Sequence, residues 1–445
     1  MLMRSAPLPE GVKSVARPRG EIPLTFGERV LIIYFCVFYF IPMIMDGLLD
    51  LPIKYYLSGD RDFFWAFLFA LVYLTAFLLI LRTFFKRRIL VAGPVSKSRT
   101  SKRPRFSLIF SPIAVKLSIV IFFVISLQFA DGFDASFRHT ATYSASGIVP
   151  VATFALKAAT SIFIFASISD YKLIKLGPFF IILYSISIYN SFVGSYDIVY
   201  FFIAIYALIR DSGSSIVRFL RRSLSGFGPI LLLFIVPAVV FAGMWNKIGF
   251  DNAVSYFASG GLLSLVELLS NRLLYHSYSL ATQLGDIERS FALSWQAFDI
   301  VSFQTVRRLY VLLGESVAND TLQTVSRLNF LEISGYRVAS DAGASPGLLG
   351  SLFYMLGSVY ALPLHMLYVL HVIRIFDNIM GPGSYNLFAY FGALILFQLL
   401  VDSIPDNFNP FSIGFIGLVT LSLLSVYTKD LLAIRQSELG QHAQV

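Results

Sequence analysis

Apolar runs of roughly 17–25 residues recur along this chain, and about 20 helical residues are enough to cross the hydrocarbon core of a bilayer. No other feature limits the fold as tightly. Lipid offers no partner to an unpaired N–H or C=O, so segments that cross it must be helical. Ten runs are read as spans: 30–49, 63–82, 113–130, 148–168, 177–193, 195–210, 227–245, 347–373, 385–402 and 411–427. The expected fold is therefore all-α, a polytopic transmembrane bundle of about ten spans. The fifth and sixth spans are short and joined by the tight segment Val193-Gly194-Ser195-Tyr196-Asp197, which suits a tilted or half-buried pair. Composition agrees. The chain is 56% hydrophobic and 14% charged, where soluble domains carry about 25% charged residues.

Charge gives the orientation. With the N-terminus inside, the cytoplasmic segments hold 23 of the 35 Lys and Arg residues, and nine of these fall in 82–112. The opposite side holds ten, seven of them in one long loop over 246–346. The positive-inside rule is read on short loops, where the contrast is 23 against three. Both termini are expected in the cytoplasm, and the net charge of +9 reflects orientation rather than nucleic-acid binding. The basic block from Arg82 to Arg105 fits an anchor on anionic head groups. The first apolar run is too long for a signal peptide and lacks a small-residue exit, so it is expected to stay as an anchor. The organisation is a basic tail (1–29), spans one to seven (30–245), the large non-cytoplasmic loop (246–346), spans eight to ten (347–427) and a C-terminal tail (428–445).

Connections of about a hundred residues are uncommon and usually functional. Within this one, Ser259 to Gln283 reads as an amphipathic helix and Ser294 to Leu313 as a shorter second helix. Arg272, His276, Ser279 and Gln283 recur at helical spacing on one face, opposite Leu265, Leu269, Leu273, Leu274 and Leu280. Such a helix is expected along the outer membrane–water interface, its polar stripe upward or toward a cavity. The stripe is either a solvated face or a site where Arg grips phosphate through its planar fork and His moves a proton. Arg289, Arg307, Arg308, Arg327 and Arg337 join Arg272 in this loop against one lysine, Lys247. That bias suits anion recognition, most simply a diphosphate. Pairing with acids such as Asp286, Glu288, Glu332 and Asp341 is the alternative.

The loop ends in a small, polar strip, Tyr336 to Ser345, followed by Pro346-Gly347. Glycine lets a backbone approach a ligand, and proline suits a first helical turn. A helix cap with a glycine packing face (Gly343, Gly347, Gly350, Gly357) is the simpler reading. Ionisable groups inside spans are costly. Lys157, with an acidic partner unknown, stands out, followed by Lys116, His365, His371, Asp46 and Asp402. The lone Cys36 and five scattered histidines argue against zinc. There is no Walker loop, no paired acidic motif for a divalent cation and no inverted repeat. No cofactor or metal is expected.

The run Ala344-Ser345-Pro346-Gly347-Leu348-Leu349-Gly350-Ser351-Leu352-Phe353-Tyr354-Met355-Leu356-Gly357 resembles the opening of the span after the large outer loop in bacterial O-antigen or oligosaccharide repeat-unit polymerases of the Wzy type. The layout is similar too: a basic N-terminus, many spans and one large late loop. Ser351 stands where that family often has an acid, and Gly194-Ser195-Tyr196-Asp197 lacks the family's arginine, so no arginine is assigned at that turn. The resemblance implies an inner-membrane enzyme whose loop is periplasmic. Its donor and acceptor are undecaprenyl-diphosphate-linked oligosaccharides, and membrane lipids and a chain-length regulator protein are its expected partners. A sugar hydroxyl attacks the anomeric carbon of the donor and the diphosphate leaves, with no nucleotide needed. Arg272, Arg289 and Arg337 are then the expected diphosphate-binding residues, and His276 or Asp341 the catalytic base. The competing readings are a ligase moving finished glycan from the same carrier, and a transporter or flippase.

Overall fold

The computed structural model describes residues 24–48, 63–91, 104–129, 148–169, 173–192, 196–211, 237–238, 241, 244–245, 249–313, 324–334, 344–356, 360–380, 387–401 and 403–442. Among them all regular structure is helical. Among the described residues, five helices are long and apolar enough to cross a membrane: Phe26–Asp46, Phe63–Thr83, Pro112–Phe129, Ile148–Ser167 and Ile413–Ile434. They overlie the first four expected spans and the tenth. Pro178–Asn190 and Phe388–Leu400 are shorter apolar helices at the fifth and ninth positions. Tyr196–Asp211 occupies the sixth. The seventh, 227–245, lies almost wholly outside the described residues.

Helix α1 (Phe26–Phe35) begins four residues before its apolar run, at a capping box. Thr25 Oγ1 accepts from the Glu28 N–H at 3.2 Å, and Glu28 Oε2 accepts from the Thr25 N–H at 2.8 Å. These bonds meet donors that a helix end leaves open. A π turn, Cys36–Phe40, joins α1 to α2 (Ile41–Leu48). There follow α3 (Phe63–Val91), α4 (Pro112–Ser126), α5 (Ile148–Ser167), α6 (Pro178–Asn190) and α7 (Tyr196–Asp211). Outward side chains on α3, such as Phe64, Trp65, Val72 and Leu79, are bulky and exposed, as a lipid-facing helix requires.

The expected loop is largely helical. Helix α8 (Phe250–Gly285) has 36 residues, so it is about 54 Å long. It contains the whole stretch expected over 259–283. Helix α9 (Ile287–Leu312) starts seven residues earlier than the expected Ser294, and the short α10 (Val325–Ser334) follows.

The stretch read as one span over 347–373 is divided. A four-residue helix α11 (Gly347–Gly350) tightens into a 3-10 turn, Ser351–Tyr354, and stops where Met355 is extended and Leu356 has φ +38°. A separate helix α12 (Leu362–Met380) then begins, with Pro363 in its first turn. Hydropathy alone could not see the break, because the run is apolar on both sides of it. Helices α13 (Leu387–Val401) and α14 (Ile413–His442) complete the chain.

The short segment Gly347–Tyr354 is buried at the centre of the bundle. Its backbone groups must find partners there, since an unpaired buried group costs about 1–3 kcal/mol. Tyr34 Oη accepts from the Leu348 N–H at 3.1 Å and donates to the Leu400 carbonyl at 3.0 Å. Tyr39 Oη accepts from the Leu349 N–H at 2.8 Å. His365 Nε2 lies 2.7 Å from the Leu348 carbonyl, and Tyr73 Oη 2.8 Å from His365 Nδ1. Ser351 Oγ donates to the Gly347 carbonyl at 2.7 Å and accepts from the Ile404 N–H at 3.2 Å. The π turn explains the two tyrosines. Five residues apart, they would diverge on an α-helix; one wide turn brings both hydroxyls to the same side.

Candidate functional site

The polar stripe of α8 faces inward. His276, Ser277, Ser279 and Gln283 are all buried, as are Leu274 and Leu280 beside them. The expectation of a stripe facing upward into solvent is therefore corrected for this part of α8. Its polar face is pressed onto the Pro346–Tyr354 segment, and two glycines make that approach possible. Gly347 has φ +67°, which an L side chain rarely adopts, and a Cβ there would collide with His276 Nδ1. A Cβ on Gly350 would lie 2.7 Å from Ser279 Oγ.

A buried network ties this contact to α10. Ser279 Oγ donates to Asn329 Oδ1 at 2.6 Å, and Tyr354 Oη donates to the same oxygen at 3.0 Å. Gln283 Nε2 donates to Tyr354 Oη at 3.0 Å. Asn329 Nδ2 donates to the Ala344 carbonyl at 2.8 Å, and the Ala344 N–H donates to the Ser326 carbonyl at 3.0 Å. These groups satisfy one another, as buried polar groups must. His276 differs. Its ring faces the Pro346 carbonyl and stacks edge-on against Phe38, with centroids 5.1 Å apart, and its buried Nδ1 has no hydrogen-bond partner among the described residues.

The arginines take several roles. Arg289 Nη2 donates to Glu332 Oε1 at 3.0 Å, so this candidate anion ligand is already paired with a buried acid. Its side chain is half-exposed, which leaves other donors of the guanidinium facing outward. Arg308 sits over the Phe154 ring, 5.7 Å from its centroid. The backbone of Arg272 lies one turn before His276 on α8, while its side chain falls outside the described part of the structure. Arg337 and Asp341 lie outside the described residues. Among the described residues, no group of three His, Cys, Asp or Glu side chains could hold a metal ion.

Asp406, in the connection between α13 and α14, fastens the start of α10 by accepting from the Val325 N–H at 3.1 Å. Burial lifts its carboxyl from an ordinary 3.8 to about 6, and the amides of Val325 and Ser326 act in the opposite direction. The folded protein therefore binds this proton more tightly than the unfolded chain. Stability owed to Asp406 is full below about pH 4 and is lost as pH rises through about 6. We expect Asp406→Asn to flatten the fall in melting temperature between about pH 4 and 7. Thermal unfolding across that range tests it, and an unchanged slope in the variant refutes it.

A second buried polar centre lies among α5, α6 and α7. Lys157, 1% exposed, donates to Asp197 Oδ2 at 3.0 Å and to the Ser191 carbonyl. The acidic partner comes from the tight segment between the fifth and sixth expected spans. Ser161, one turn after Lys157 on α5, shares a hydrogen bond with Tyr184 of α6, their oxygens 2.7 Å apart.

Comparison with known proteins yields no matching family model, no matching curated protein and no matching solved structure. The site stands on its own geometry. Sequence reasoning did not single out Asn329, Tyr354 or Asp406. Asn329 lies in an otherwise apolar turn, Leu328-Asn329-Phe330, which is the one local signal for it. Tyr354 sits inside an apolar run and Asp406 in a polar loop, so neither stands out.

Proposed function

We propose that this chain is a membrane-embedded, metal-independent glycosyltransferase that joins lipid-diphosphate-linked oligosaccharide repeat units into a longer glycan at the non-cytoplasmic face of a bacterial inner membrane. One juxtaposition supports the reading. Two features singled out separately in the sequence, the polar face of α8 and the Pro346-Gly347 junction, meet, with His276 against Gly347 and Ser279 against Gly350. In the proposed reaction an acceptor hydroxyl oxygen forms the new bond to the donor's anomeric carbon. The bond from that carbon to the phosphate oxygen breaks, and the diphosphate leaves with its electron pair. The hydroxyl proton passes to His276 Nδ1 once a shift of the Pro346–Tyr354 segment uncovers it, since the atom is buried against Gly347 and has no hydrogen-bond partner among the described residues. The outward donors of Arg289, joined by Arg272 and Arg337, take the leaving charge, and Asp341 is the alternative base.

The test is to incubate the purified protein with a polyprenyl-diphosphate-linked repeat unit and resolve the products by size. A ladder of lengthened glycan is the expected result. His276→Ala should slow it by about 10²–10⁴-fold, the usual contribution of a general base. Arg289→Ala should cost about 10²–10³-fold, typical of one lost donor to a developing anion. Transfer of preformed polymer to a lipid core without lengthening would make the protein a ligase. Movement of the carrier across vesicles without lengthening would make it a transporter.

A further inference from the structure

Helix α9 presents two apolar faces. The inner one, with Leu293 and Ala297, is buried, and Ser294 Oγ donates to the Phe353 carbonyl at 3.1 Å, which seats α9 on the back of the central segment. The outer face is exposed, covered by none of the described residues. Ile287, Phe291, Trp295, Phe298, Val306 and Leu309 follow one another at helical spacing and are all exposed, Trp295 at 59% and Phe298 at 61%. Trp295 stacks edge-on against both Phe291 and Phe298, so the aromatic residues form one continuous ridge. A stripe of this size on a water-facing surface would be an aggregation liability.

We propose that α9 is an interfacial helix whose outer stripe is seated in the acyl–headgroup boundary of an anionic bilayer leaflet. Three observations favour lipid as the occupant. The stripe is flanked by polar and charged side chains, Glu288, Arg289, Gln296, Asp299 and Arg307, the pattern of a helix lying in a membrane surface. Arg289, half-exposed near the start of α9, has guanidinium donors beyond its bond to Glu332 that face outward and complement anionic head groups. The stripe is led by aromatic side chains, including a tryptophan, which concentrate at membrane–water boundaries. The far end of α9 rests on the bundle rather than projecting from it: Arg308 covers the Phe154 ring of α5, and Thr305 Oγ1 lies 3.4 Å from Asn409 Oδ1 in the connection between α13 and α14. This inference does not depend on glycan polymerisation being the activity.

The chain has three tryptophans, Trp65, Trp245 and Trp295, which allows a direct test. The full-length Trp65→Phe/Trp245→Phe variant keeps Trp295 as sole reporter. The Trp245→Phe/Trp295→Phe variant keeps Trp65, on the lipid-facing side of α3, as a reference. Both are reconstituted in phosphatidylcholine vesicles containing acyl-brominated phosphatidylglycerol. Trp295 is expected to be quenched by the brominated lipid about as strongly as Trp65 and to be spared by aqueous iodide. Quenching by iodide with none by the brominated lipid would place the stripe in water and overturn the proposal. Protection from both would also overturn it, and a Phe298→Cys cross-linked dimer in a Cys36→Ser background would identify a second copy as the occupant. If brominated phosphatidylcholine quenches equally at the same fraction, the anionic part falls. Should the tryptophan variants fail to fold, a photo-cross-linking residue at Phe298 in the otherwise unaltered chain must yield lipid adducts, and their absence refutes the seating.

Discussion

Asp197→Asn is expected to lower stability by about 3–5 kcal/mol, the cost of leaving one member of a buried ion pair uncompensated. Lys157 is buried between α5 and α7, where a lone ammonium has no water to turn to. Its other hydrogen bond goes to the Ser191 carbonyl, which is polar but carries no countercharge. The pair need not add net stability over an apolar pair of similar size. Lys157→Met/Asp197→Leu is therefore expected to recover most of what Asp197→Asn loses. Unfolding of the single and double variants in detergent measures both. If Asp197→Asn unfolds like the parent, Lys157 has another countercharge and the account is wrong. Retained activity in the double variant would make the pair a brace between helices, and lost activity would give it a part in transport or catalysis.

Gly347→Ala should be strongly damaging, because this glycine alone among the described ones combines a left-handed backbone with a collision at its Cβ. Two costs combine. A left-handed backbone costs an L residue about 1–2 kcal/mol, and forcing a methyl into a filled site costs about 1–3 kcal/mol more. The group it strikes is His276 Nδ1, so the imidazole must turn away from the atom it is proposed to serve. Loss of glycan lengthening together with a lower melting temperature is the expected result. His276→Ala in the same chain removes the collision but not the backbone strain, so the double variant should regain part of the stability and none of the activity. A Gly347→Ala protein with parental stability and parental activity would rule out the packing described here.

The sequence carried much of this architecture and little of its interior. Hydropathy located α3, α4, α5 and α14, because length and apolarity are local properties. Periodicity put His276, Ser279 and Gln283 on one face of a helix, but periodicity is blind to what that face meets. Here it meets protein, because Gly347 and Gly350 clear the space. The partner of Lys157 was illegible for a different reason. Asp197 is 40 residues away, and only folding decides which of many acids a buried lysine finds. The break after Tyr354 was hidden because hydropathy does not register where the backbone turns. It records only that Leu352, Phe353, Met355 and Leu356 all avoid water. The capping box at Thr25 and Glu28 was legible in principle and explains why α1 starts before its apolar run.

The wide turn at Cys36–Phe40 gives the first helix one residue more than an ordinary α register would use. Tyr34 and Tyr39 sit on either side of that surplus, and both hold the backbone of the central segment. Loss of a single residue between them would turn a five-residue spacing into a four-residue one, which a regular α-helix also places on one face. The same loss within α3, which has no such slack, would rotate every later side chain of that helix by about 100°. Loss of one residue is therefore better tolerated at this turn, where the two central hydroxyls are set, than within a regular helix such as α3.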